Sequence, residues 1–105
     1  MIRQTLLLLP LLISTYALSN EFGDPKLGKL KSPSCVFCHG ASGTATNTDY
    51  PNLAGQDLLY LFNSMKAYQA GQRSGSYSEM MKTQLRQLND DDLKDIAAFY
   101  SSQSN

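Results

Sequence analysis

The sequence predicts an all-α fold of short helices joined by long loops. Three observations carry this. No stretch alternates apolar and polar residues at period two, so nothing reads as a strand. Apolar residues instead recur at helical spacing, at Leu58, Leu61, Phe62, Met65 and Tyr68 and at Leu93, Ile96, Ala97 and Tyr100. Between these segments lie runs rich in Gly, Ser, Thr, Asn and Pro, which interrupt regular structure. Loops that long in a chain of 105 residues imply a group for them to wrap.

The first stretch reads as a separate element. Met1 to Thr5 carries one positive charge, Arg3, and Leu6 to Ile13 is apolar apart from Pro10. Ala17-Leu18-Ser19 then places small residues where a signal peptidase reads. This order is that of a secretory signal peptide. The apolar run is too short for a membrane span, which needs about 20 apolar residues. The expectation is a signal peptide over residues 1–19, cleaved after about Ser19, and one mature domain over 20–105 in the periplasm.

The mature domain reads in order as follows. Asp24 caps a helix opened by Pro25, with Leu27 and Leu30 on one face, and Pro33 keeps that helix short or bent. Cys35 to His39 sits on the next turn, and Gly40 to Asn52 is loop. A second amphipathic helix runs from about Asp57 to Ala70 and stops at Gly71. Gln72 to Ser78 is loop again. Glu79 to Leu88 fits no single pattern, with Met80, Met81, Leu85 and Leu88 as its apolar members. The last helix is capped by Asn89, and Asp90, Asp91 and Asp92 suit its positive start.

Composition narrows the function. Without Arg3, eight basic residues face nine acidic ones, and no basic stripe of the kind nucleic acid requires is present. A domain of 86 residues buries a limited core and often needs a staple. Export permits disulfides, but the only two cysteines are Cys35 and Cys38, and a bridge between them would restrain little of the unfolded chain. A large covalently held apolar plate would serve instead.

Cys35-Val36-Phe37-Cys38-His39 is the C-x-x-C-H haem attachment pattern. Residues three apart on a helical turn share a side, so both sulfurs reach the two vinyl groups of one haem edge and form thioethers. His39 then falls under the iron as proximal ligand. Other readings of the pattern fit less well. A thioredoxin-like site sits in a βαβ pattern, which is absent here. Structural zinc needs four ligands, and the chain offers two cysteines and one histidine. A plain disulfide leaves His39 unexplained. With no second histidine, the sixth ligand falls to methionine, and a Met/His pair raises the reduction potential. Met65 lies on an apolar stripe and reads as core, which leaves Met80 and Met81.

At this point the sequence resembles the small Met/His-ligated class I bacterial cytochromes c, and in particular one half of their dihaem members. The resemblance covers nearly all of residues 23–103. It rests on Gly23-Asp24-Pro25, Gly28, Cys35 to Gly40, and Tyr50-Pro51-Asn52-Leu53-Ala54-Gly55-Gln56. Tyr60-Leu61, Ala70-Gly71, Met80-Met81, Leu88 to Leu93 and Asp95 to Tyr100 complete it. It implies the class I cytochrome c fold around one covalent haem c. It gives Pro51 the role of accepting the free ring N–H of His39, Leu53 that of packing on the haem, and Gly28 that of admitting a close helix crossing against an aromatic such as Tyr100. The family's distal methionine lies seven residues before the leucine that opens the last-helix motif, which selects Met81, with Met80 the alternative. Lys82-Thr83-Gln84 departs from the small residues and glycine that often follow it.

The expected function is single-electron transfer between respiratory redox partners. These would be membrane or periplasmic proteins, an oxidase or a dehydrogenase, met in transient complexes with small interfaces. The expected cofactor-binding residues are Cys35, Cys38, His39, Pro51, Leu53 and Met81, with His39 and Met81 on the iron and no catalytic residue. The alternative is a haem enzyme or gas sensor whose distal methionine is displaced.

Overall fold

Asp24 begins the folded domain by accepting the Lys26 N–H at 2.8 Å, and Pro25 follows with its φ already helical. The result is α1, Pro25–Lys31. Ser32 breaks it, Pro33 restarts the chain, and α2 runs over Pro33–His39. Gly40 ends α2 at φ +83°, donating to the Val36 carbonyl at 2.8 Å; the same glycine passes so close to the Thr44 carbonyl that no side chain fits. The remaining helices are α3 (Leu58–Gln69), α4 (Ser78–Leu85) and α5 (Asp90–Ser101). The computed structural model describes residues 1–2, 7, 9–13 and 22–105. Among them there is no strand, and no helix is long and apolar enough to cross a membrane. The expected cleavage site at Ala17-Leu18-Ser19 lies outside the described residues.

The core centres on α5. Leu93, Ile96, Ala97, Ala98, Phe99 and Tyr100 are all buried, whereas α3 and α4 contribute only Leu61 and Leu85 at that depth. Helix α5 is also the best-begun: Asn89 accepts the Asp92 N–H at 2.9 Å and Asp92 returns the favour to the Asn89 N–H at 3.0 Å. Helix α1 crosses α5 at Gly28. A Cβ at Gly28 would strike the Asp95 carbonyl and come within 2.7 Å of the Phe99 Cβ. The aromatic at the crossing is therefore Phe99, where the resemblance had pointed to Tyr100. Leu27 and Leu30 do not form the buried face of α1; they are exposed.

The segment from Glu79 to Leu88 resolves into a helix and a turn. No side chain caps the start of α4. It is held by Ser78, whose hydroxyl donates to the Gly75 carbonyl at 2.9 Å, and by the Met81 amide on the Tyr77 carbonyl. From α3, the Gln69 side-chain amide donates to the carbonyls of Leu85 and Leu88, both at 2.9 Å, and so clamps the exit of α4.

Candidate functional site

The helices enclose a cavity of about 320 Å³ whose wall brings together every cofactor-binding residue expected from the sequence, Cys35, Cys38, His39, Pro51, Leu53 and Met81, along with Met80. Helix α2 supplies the first three from one and a half turns. The cysteines are free thiols, both partly buried. Burial pushes the Cys35 thiol up, the opposite of the lowered value a redox-active thiol needs. For Cys35 this argues against a C-x-x-C redox site, and both sulfurs stand on the cavity wall.

His39 is buried, and its Nδ1 lies 2.8 Å from the Pro51 carbonyl. A carbonyl can only accept, so Nδ1 carries the proton of this bond, and Nε2 is the ring nitrogen left to face a metal. The loop is built to hold that carbonyl in place. Leu53 and Ala54 donate to the Gly43 carbonyl at 2.7 and 3.0 Å, Asn52 accepts the Ala45 N–H at 2.7 Å, and Gly55 donates to the Tyr100 carbonyl at 3.0 Å. A run that reads as featureless loop is thus tied to itself and to the end of α5.

Helix α4 brings two methionines to the cavity, of which Met81 is half-buried while Met80 remains 38% exposed. Met65 packs against the core cluster and also reaches the cavity. Leu61, Ser64, Met65 and Tyr68 are spaced as one helical face, and all four line the cavity. The apolar stripe of α3 is therefore cavity wall as much as core.

Sequence reasoning missed the tyrosines. Tyr50 bridges the two sides: its ring lies 6.5 Å from that of His39 and 5.3 Å from that of Tyr77, just ahead of α4. Its hydroxyl is pushed up by desolvation and then by Cys38 and Tyr77 nearby. Tyr100, buried at the back, is pushed up to about 12, chiefly by burial and then by Cys35. The only available signal was the number of tyrosines, six in 105 residues with no tryptophan, and nothing in it says which ones face inward.

Comparison with known proteins agrees with this geometry. The family profile described as Cytochrome c matches residues 28–104. The chain is 47% identical over 81 residues to cytochrome c-554(548) of Halomonas halodenitrificans, covering 77% of this chain and 98% of that protein. It is 40% identical over 86 residues to cytochrome c4 of Pseudomonas aeruginosa, covering 82% of this chain and 41% of that one. The crystal structure of reduced recombinant cytochrome c4 from Pseudomonas stutzeri superposes with a TM-score of 0.69 at 36% identity, over 78% of this chain and 46% of that one. The chain spans slightly less than half the length of these two cytochromes c4.

The cavity suits the family's prosthetic group by its own chemistry. Two cysteine sulfurs, an imidazole held in a fixed orientation and the thioethers of Met80 and Met81 all line it, and the rest is largely apolar. The chain belongs to the cytochrome c family and carries one haem c, bound covalently through Cys35 and Cys38.

Proposed function

We propose that this chain is an exported monohaem electron carrier, with His39 and Met81 as the two residues that would ligate the haem iron. When bound, the haem supplies a one-electron redox centre. The chain's own residues do the rest. The Pro51 carbonyl fixes the ring of His39 and raises its basicity through the Nδ1–H bond. Met81 offers a thioether that needs no deprotonation, unlike the neighbouring Lys82 amine. Leu53, Leu61, Ile96 and Ala97 keep water from the cavity. With His39 and Met81 both holding the iron, no position on it would remain for a substrate. This favours electron transfer over catalysis or gas sensing. Residues 1–19 act as the export signal, and the partners are redox proteins met in short-lived complexes.

The observation that carries this reading is the placement of His39, fixed by Pro51, and of Met81 on the wall of one cavity. The test is a spectrum of the protein made by periplasmic expression with haem attachment. The expected result is a low-spin six-coordinate haem in both oxidation states, a ferric Met–iron band, reversible one-electron titration and no rapid carbon monoxide binding. A high-spin ferric spectrum or avid carbon monoxide binding would instead mark an open distal site.

A further inference from the structure

Tyr100 is 1% exposed, and its hydroxyl is buried without a hydrogen-bond partner. Buried phenols ordinarily find an acceptor, so this oxygen needs an explanation. The side chain has little freedom to find water: its ring lies 4.9 Å from that of Phe99, tilted by 55°, and its own carbonyl is engaged by Gly55 and Gln103. It shares the cavity wall with Cys35, and Cys35 packs against the cluster to which Tyr100 belongs. The polar groups beside the hydroxyl are the Cys35 sulfur and the Ser32 hydroxyl. Ser32 is itself buried and its hydrogen goes to the Lys29 carbonyl at 3.1 Å, which leaves its oxygen as the competing acceptor that a Ser32→Ala variant tests.

A thiol sulfur is a weak acceptor that carries a hydrogen of its own. A thioether sulfur has lone pairs and no hydrogen, so it can only accept. We propose that Tyr100 is a positioning residue for the haem, its hydroxyl donating to the Cys35 sulfur once that sulfur has become the thioether arm. The assignment rests on the covalent haem carrier described above. It gives the orphaned hydroxyl an acceptor that, in the finished protein, carries no competing hydrogen. The bond fixes the orientation of one attachment arm and draws electron density toward it, which favours the reduced iron.

The test compares holoprotein carrying Tyr100→Phe or Ser32→Ala with the wild type. With Tyr100→Phe, the haem stain and low-spin spectrum are retained, the carbon–sulfur stretching band in the resonance Raman spectrum shifts, and the midpoint potential falls. Ser32→Ala leaves both unchanged. The assignment is overturned if Tyr100→Phe keeps the wild-type band and potential, or if Ser32→Ala reproduces both shifts. Should Tyr100→Phe fail to accumulate, wild-type protein unfolded and refolded in deuterium oxide gives the same answer: a moved carbon–sulfur band supports the bond, and an unmoved one removes it. A wild-type protein with no covalent haem sinks the carrier reading itself, which the stain reports separately.

Discussion

The Nζ of Lys31 lies 2.7 Å from Oδ2 of Asp95 and 2.8 Å from Oδ1 of Asp92, so one ammonium at the end of α1 holds two carboxylates of α5. The other oxygen of Asp95 accepts the Asp24 N–H at 2.8 Å, at the start of α1. A single aspartate thus ties both ends of a seven-residue helix to α5. Lys31 and then the Asn89 N–H hold the Asp92 carboxyl low. Burial pushes Asp95 up, but Lys31 and the Asp24 amide outweigh it and the net direction is down. Lys31 is held above its ordinary 10.5 by Asp92 and Asp95.

The pH window follows from these directions. Lowered carboxyls stabilise the fold above their ordinary value of 3.8 and lose that contribution as pH falls through the folded values. A raised amine contributes below 10.5 and loses it only as pH climbs above that. Lys31→Met should therefore lower the melting temperature near neutral pH. At about pH 2, where the carboxylates are protonated, the gap to the wild type should shrink toward zero. Thermal melts at the two pH values check this, and an equal gap at both would assign the effect to lost packing instead.

Gly28→Ala should be costly because the obstruction is backbone. The added methyl meets the Asp95 carbonyl and the Phe99 Cβ, and neither can swing aside without moving α1 off α5. Overpacking of this kind costs about 1–3 kcal/mol. Leu30→Ala on the same helix removes more atoms from a side chain that is 74% exposed, and should change stability by no more than ~0.5 kcal/mol. Denaturant titration of both variants would settle the contrast; comparable losses would mean that the Gly28 crossing is looser than its geometry indicates.

Local signals made part of this fold legible. Asn89 with Asp92, and Asp24 with Pro25, announce helix starts through atoms within three residues of one another, and both caps form as the sequence implies. The attachment pattern is equally local. The rest depends on facing. Phe99 and Tyr100 are adjacent aromatics about 100° apart around one helix. Which one meets Gly28 and which lines the cavity is decided by how α5 is rolled against α1, a tertiary fact. Helix α4 lacked a legible start because Tyr77 caps it with no side-chain bond; its clamp comes from Gln69, sixteen residues before Leu85. The tyrosine lining was hidden for the same reason, since an aromatic reads as core whether it faces another side chain or a prosthetic group.

The uneven core predicts dependence on haem for folding. Among the described residues, six of the nine buried apolar ones lie on α5, so α3 and α4 contribute only Leu61 and Leu85 at that depth, and much of the remaining inward face of α3 borders the cavity. The double variant Cys35→Ala, Cys38→Ala should not hold haem covalently. Without haem, it should lose cooperative melting and most of its protection against proteolysis. Circular dichroism melts of the purified variant check this, and a haem-free variant with a sharp helical transition would show that the protein part is sufficient.

The distal ligand gives the sharpest prediction. Met80 and Met81 both reach the cavity, but consecutive residues on α4 point about 100° apart, so the two cannot present sulfur to the same metal position equally. Met81 is the more buried of the pair, and Met80 keeps 38% of its surface in solvent. Met81→Ala should remove the ferric Met–iron band, open the sixth position to carbon monoxide and lower the reduction potential, because loss of a thioether removes the ligand that favours reduced iron. Met80→Ala should keep the band and cost at most ~1 kcal/mol in stability, because a partly exposed side chain contributes less than a buried one. Optical spectra and redox titrations of the two variants separate the cases. If Met80→Ala abolishes the band while Met81→Ala preserves it, the ligand is Met80 and α4 is rolled by one residue in the holoprotein. If neither variant loses it, the band arises elsewhere on the wall, with Met65 the remaining thioether there.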